Sequence, residues 1–178
     1  MPGLSVREAK LGDLDAVVEL RLSLLREYGD HPLYGRLHPE ARRRAFELYR
    51  TQLGSQHETM FVAELGDEIV GVLRCVDTPS SPLLTPDRYC YVSSAYVKPH
   101  TRRKGVLTAL VDAAERWCDA RGITEMRLHN ASGVRMAEDT WAALGFEVVE
   151  QVRRRATHHP AAHHAAEGGG THGGVRAY

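Results

Sequence analysis

The residues best suited to chemistry lie in one run, Val97-Lys98-Pro99-His100-Thr101-Arg102-Arg103-Lys104-Gly105-Val106-Leu107-Thr108. A β-prone segment stops at Pro99, and a basic turn containing one glycine leads straight into an amphipathic segment. The first turn of a helix carries unpaired N–H groups and a partial positive charge, which together suit a phosphate. Gly105 leaves room for a ligand to approach the backbone, and Arg102, Arg103 and Lys104 add positive charge. The same run also reads as a solvated basic turn before an ordinary helix. It is neither a P-loop nor a dinucleotide fingerprint, because GxxxxGK[ST] and GxGxxG are both absent.

Other reactive side chains are scattered. Cys75, Cys90 and Cys118 are odd in number and widely spaced, without a CxxC pair or zinc-ligand spacing, so three reduced thiols and no metal are expected. Cys90 reads as a buried structural thiol. Tyr89, Tyr91 and Tyr96 lie in one β-prone run, where strand alternation predicts that Tyr91, Ser93 and Ala95 share a face. His129, at the end of a short apolar run, has a side chain that titrates near neutral pH.

These residues need elements to hold them. Ser5–Ala9 reads as a strand, and Asp13 as the cap of a helix carrying Leu14, Val17, Val18, Leu24 and Leu25 on one stripe up to Gly29. His38-Pro39 opens a second helix, with Ala45, Phe46, Tyr49 and Leu53 on one face. The period then changes: Thr59–Leu65 and Glu68–Val76 are strands joined by a Gly66-Asp67 turn. Thr78–Arg88, with three prolines, is predicted irregular. Tyr89–Val97 is a strand, and Val106 to Cys118 an amphipathic helix. Strand Glu125–Leu128, helix Val134–Leu144 and strand Phe146–Arg153 follow. The order β-α-α-β-β-β-α-β-α-β is an α/β pattern, a mixed and mostly antiparallel sheet flanked by about four helices.

The chain has 178 residues, 43% hydrophobic and 26% charged, with 23 basic against 23 acidic side chains. Zero net charge argues against a nucleic-acid partner, and no apolar run reaches membrane-spanning length, so a soluble, cytoplasmic protein is expected. Residues 1–156 read as one domain. Residues 157–178 hold five of the ten histidines and five glycines but almost no large apolar residue, and read as a flexible tail. Only residues 174–178 of that tail could form a further strand. Without it, Phe146–Arg153 would be an open edge that a second copy of the chain would cover.

The chain resembles the GNAT superfamily of acetyl-CoA-dependent N-acetyltransferases over about residues 4–155. The acyl-CoA signature [RQ]-x-x-G-x-[GA] is matched by Arg102-Arg103-Lys104-Gly105-Val106-Leu107. A helix ending in L-G-F is matched by Ala137 to Phe146, with Gly145 lying 40 residues after Gly105. The resemblance implies that Arg102, Arg103, Lys104, Gly105, Val106, Leu107 and Thr108 hold the pyrophosphate of acetyl-CoA. It also implies that Ala95, Tyr96 and Val97 pair with the pantetheine arm and offer an N–H to the thioester oxygen. Acetyl transfer would be direct, to an amine of a small molecule or a protein.

Several positions depart from the family pattern. Leu107 replaces Gly or Ala, so it either crowds the phosphate or enters the core. Val134 replaces an Asn, for which Asn130 is a substitute to consider. Trp141 falls where a thiolate-protonating Tyr is common; an indole N–H cannot serve as that acid, so Trp141 is assigned to packing or cofactor stacking. Ser93 aligns with a Glu base that it cannot replace unassisted. Tyr91 and Ser93 are nevertheless the preferred catalytic pair, with Glu64, Asp77, Asp87 and His129 as alternatives acting through water. Acceptor choice would come from Tyr28–Pro39 and Thr78–Arg88. The competing class is a CoA-binding module without turnover.

Overall fold

The computed structural model describes residues 3–155. The strands are β1 (Leu4–Glu8), β2 (Glu58–Leu65), β3 (Glu68–Pro79), β4 (Arg88–Val97) and β5 (Met126–Leu128). The helices are α1 (Leu14–Glu27), α2 (Ala41–Gln52), α3 (Val106–Asp119) and α4 (Arg135–Ala143), with short 3-10 turns at Leu11–Asp13 and Pro99–Thr101. The sheet runs β1-β2-β3-β4-β5; the first three pairings are antiparallel and β4–β5 is parallel. The chain divides into compact units of residues Met1–Phe146 and Glu147–Tyr178. All elements named above lie in the first. Among the described residues, no helix is long and apolar enough to cross a membrane.

Two cores sandwich the sheet. On one face, Val106, Leu110, Ala114, Trp117 and Cys118 of α3 bury against Leu73, Cys75, Cys90 and Val92. On the other, Val17, Val18 and Leu22 of α1 and Tyr49 of α2 bury against Val62, Val72 and Tyr96. Gly71 lets α3 come this close: a Cβ there would stand 3.1 Å from side-chain carbons of both Val106 and Leu110.

Local expectations are revised in four places. The Asp13 carboxylate makes no cap bond to α1; it accepts the Lys10 N–H at 2.7 Å and pairs with Arg7, whose hydrogen bond holds it below the usual carboxylate range. Helix α2 starts at Ala41, not at Pro39, because His38 first closes a turn, its Nδ1 accepting the Glu40 N–H at 3.0 Å. Strand β3 continues through Thr78 and Pro79, opposite Tyr89 and Arg88, since a proline at a strand end forfeits little of the ladder. Finally, Phe146–Arg153 is not a strand. No described strand offers it a ladder, and Val148, Val149 and Val152 are exposed. The tail and the segment 174–178 lie outside the described residues.

The largest consequence comes from a bulge in β4. Arg74 pairs with Ser93 but Val72 pairs with Tyr96, so Ser94 and Ala95 together oppose Leu73. Ser94 takes the left-handed conformation, φ +54°. An inserted residue inverts the alternation beyond it. Ala95 therefore packs with the α3 core and Tyr96 with the α1 core. The expected shared face of Tyr91, Ser93 and Ala95 is broken; Tyr91 and Ser93 share theirs with Tyr96.

Candidate functional site

The short β5 pairs with β4 only along Cys90–Val92. From Ser93 onward, β4 has β3 on one side and, among the described residues, no strand on the other. At the far end of β4 the 3-10 turn Pro99–Thr101 reverses the chain, and Thr101, 1% exposed, locks it through Oγ1 to the Lys98 carbonyl at 3.0 Å. Residues 102–105 then lead into α3.

This turn leaves a run of main-chain donors unmatched. The first backbone donor with a helical acceptor is the Ala109 N–H, bonded to the Gly105 carbonyl at 3.0 Å. The N–H groups of Arg103, Lys104, Gly105, Val106, Leu107 and Thr108 have no acceptor among the described residues. Arg103 at φ +58° and Gly105 at φ +80° both take positive φ within three residues, backbone turns of the kind that can curl successive N–H groups into a concave nest. Gly105 is thus required by its backbone angle; a Cβ there would meet nothing within 4 Å.

The three cations divide their work. Arg103 and Lys104 are exposed and form no ion pair among the described residues. Arg102 is occupied: its Nε donates to the Val97 carbonyl at 2.9 Å and its guanidinium to Glu27 at 2.6 Å. Glu27 also accepts the Tyr96 hydroxyl at 2.8 Å, and the Arg102 guanidinium sits 5.3 Å from the Tyr96 ring centre. Burial, aided by the Glu27 contact, pushes the Tyr96 hydroxyl above its ordinary pKa, so it stays a donor. Arg102 accordingly anchors the turn to α1 and β4, and the charge left for a ligand comes from Arg103 and Lys104. Leu107 is partly buried and packs against the α3 core.

Where β5 ends beside β4, the Tyr91 hydroxyl lies 3.2 Å from His129 Nδ1, with the rings edge to face at 5.4 Å. The two were separate candidates in the sequence; the parallel β4–β5 register brings them together. Burial raises the Tyr91 pKa, which keeps the phenol protonated. Ser93 Oγ accepts from Arg74 at 3.3 Å, and Arg74 in turn pairs with the half-buried Glu58. Ser94 Oγ lies 3.4 Å from the Tyr49 hydroxyl. Glu64 and Asp77 are consumed by ion pairs with Arg7 and Arg88, so neither is a free base. Trp141 packs edge to face on Phe146 at 5.2 Å within the α3 core. Val134 caps α4, and Asn130 reaches only the Ala131 carbonyl, at 3.4 Å.

Glu27, Glu58, Arg74, Tyr49 and Ser94 were not legible as site residues. Each depends on the bulge or on helix docking, neither of which leaves a local motif. The buried thiols also converge. Cys118 as a hydrogen-bond partner draws the Cys90 thiol down, but the Cys75 contact and burial outweigh it and push Cys90 up to about 12.

A sheet opened beside a bulged strand, with an N–H nest at the start of the following helix, matches an acyltransferase architecture. The profile of the acetyltransferase (GNAT) family matches residues 21–146, and the chain belongs to that family. Over 63 residues, 35% of this chain and 41% of the relative, it is 40% identical to an aminoglycoside N(6')-acetyltransferase type 1 of Klebsiella aerogenes, so the match spans less than half of that relative. A predicted acetyltransferase from Clostridium acetobutylicum, solved with acetyl-CoA, superposes with a TM-score of 0.71 at 17% identity, over 86% of this chain and 96% of the other. An aminoglycoside 6'-N-acetyltransferase from Acinetobacter baumannii does so with a TM-score of 0.71 at 18% identity, over 88% and 99%. At these identities the likeness is one of fold.

Proposed function

We propose that the protein is an N-acetyltransferase that moves an acetyl group from acetyl-CoA directly to a primary amine of a small molecule or protein. The observation that carries this reading is the nest of six free N–H groups at residues 103–108, flanked by Arg103 and Lys104 and continuous with the open edge of β4. That donor set fits the pyrophosphate of CoA, and the side of β4 away from β3 at Ala95, Tyr96 and Val97 fits an extended pantetheine arm. Bound there, acetyl-CoA supplies an activated acetyl thioester.

The chain's own residues supply the rest. Main-chain N–H groups at the β4 end polarise the thioester carbonyl. Tyr91, held protonated by burial, donates its proton to the departing sulfur, and His129 restores it through the 3.2 Å contact with the proton that the attacking amine gives up as the amide forms. Ser93, already accepting from Arg74, orients the incoming amine rather than deprotonating it. Trp141 packs α4 and stays outside the proton path.

Thermal unfolding with acetyl-CoA tests the binding half. At about 100 times Kd, mass action adds about 2.7 kcal/mol of stability, and no shift at millimolar concentration refutes the reading. Thiol release across an amine panel tests turnover. Stabilisation without release identifies the binding-module alternative, which the packing of Trp141 at the usual acid position favours.

A further inference from the structure

On α1 the inward stripe Leu14, Val17, Val18 is continued by Arg21 and then by Tyr28, at the three- and four-residue steps of one helix face. The first three are buried against the sheet face that carries Tyr96. Arg21 therefore extends over the face that also carries Tyr91 and Ser93, just where the apolar core ends. Its charge acts on the hydroxyls of both Tyr28 and Tyr91.

Arg21 is half-buried and has no hydrogen bond or ion pair among the described residues. Its neighbours differ: Arg26 and Arg42 pair with Glu19, Arg74 with Glu58, and Arg102 with Glu27. The nearby carboxylates are thus already matched, Glu58 by Arg74 and Glu27 by Arg102 and Tyr96. Aromatic rings complete the surroundings, with Tyr34 5.7 Å from Tyr28 and stacked on His31 at 4.7 Å. Asp30 and Asp87, on the two loops, also lack an ion pair among the described residues, but on the α1 stripe above Tyr91 and Ser93 the unpaired charge is the planar guanidinium of Arg21, the group suited to bidentate contact with a carboxylate.

We propose that Arg21 binds a carboxylate on the acceptor, so that the substrates are amines carrying a free acid, such as amino acids or short peptides, and not polycationic amines. This rests on the N-acetyltransferase reading above and deepens it. A polycation would place further positive charge beside Arg21. An amino acid or dipeptide instead supplies the missing anion and presents its amine toward Tyr91 and Ser93.

The test uses the full-length chain, saturating acetyl-CoA and thiol release. The acceptors are dipeptides with a free C-terminus, the same dipeptides amidated, free amino acids, and kanamycin as a polycation. The expected result is a preference for the acid over the amide of at least about tenfold in kcat/KM, the scale of one charge-assisted contact. Arg21→Gln should erase that preference mainly through KM, and Arg21→Lys should retain part of it. Both variants should keep the wild-type thermal shift with acetyl-CoA, which separates a lost contact from misfolding. Equal rates for acid and amide overturn the proposal. So does a preference that survives in Arg21→Gln, faster turnover of kanamycin than of every acid, or no turnover of any acid by enzyme that acetyl-CoA stabilises. An absent acetyl-CoA shift in the wild type would instead refute the underlying function.

Discussion

Replacing Gly105 by alanine separates the nest's backbone geometry from its ligand chemistry. Gly105 sits at φ +80°, and an added Cβ meets nothing within 4 Å. The cost in the free protein is therefore conformational alone. Left-handed backbone costs an L-residue roughly 1–2 kcal/mol, and the lower entropy of the unfolded alanine chain offsets roughly half of this, leaving about 1 kcal/mol. For a chain of this size, that lowers Tm by about 2–4 °C. Gly122, at φ +65° and equally open, provides a matched control beyond the other end of α3, about 20 Å from the nest. The two variants should lose similar stability but respond differently to acetyl-CoA. In Gly105→Ala the left-handed angle at the middle of the nest is disfavoured, so the N–H groups on either side of it are held less well toward one point. Losing one charge-assisted hydrogen bond there weakens binding by roughly 10- to 100-fold. At a concentration near 100 wild-type Kd, a 30-fold loss reduces ligand stabilisation from about 2.7 to about 0.9 kcal/mol. Differential scanning fluorimetry with and without acetyl-CoA reads this directly. Equal ligand shifts in Gly105→Ala and Gly122→Ala would refute the placement of phosphate in this turn.

Other expectations follow from the same geometry. Tyr91→Phe should lower kcat at least about tenfold while leaving the acetyl-CoA thermal shift intact; unchanged turnover removes Tyr91 from the proton path. Gly71→Ala should cost about 1–3 kcal/mol by chemical denaturation, because its Cβ would press on Val106 and Leu110 and on the Tyr96 carbonyl at 3.3 Å. The buried thiols should resist a thiol reagent until the protein unfolds. Cys90 titrates near 12 in the folded chain against an ordinary 9.0, so between those pH values the unfolded state has shed a proton that the folded state keeps. Stability should be unaffected by this group below about pH 9 and fall progressively toward pH 12. A Cys90→Ala variant should show a shallower alkaline decline, and an unchanged slope would remove Cys90 as its source.

The sequence by itself determined the helices, the first five strands and the basic turn between β4 and α3. Hydrophobic period, the Gly66-Asp67 turn and the proline after Val97 act between near neighbours, so they are visible along the chain. The run Arg102–Thr108 was legible for the same reason: a helix start and a glycine are local events. What required tertiary structure was every pairing across elements. The extra residue at Ser94–Ala95 shows only when β4 is registered against β3, and it alone decides that Tyr96 rather than Ala95 joins Tyr91 and Ser93. The ion pair of Arg102 with Glu27 joins positions 75 residues apart, so only the fold shows it. The parallel β5 set His129 against Tyr91, and the docking of α1 left Arg21 without a partner. The strand expected at Phe146–Arg153 failed for the matching reason: β-prone residues hold a strand only when a neighbouring ladder receives their hydrogen bonds, and that neighbour is not encoded in the segment itself.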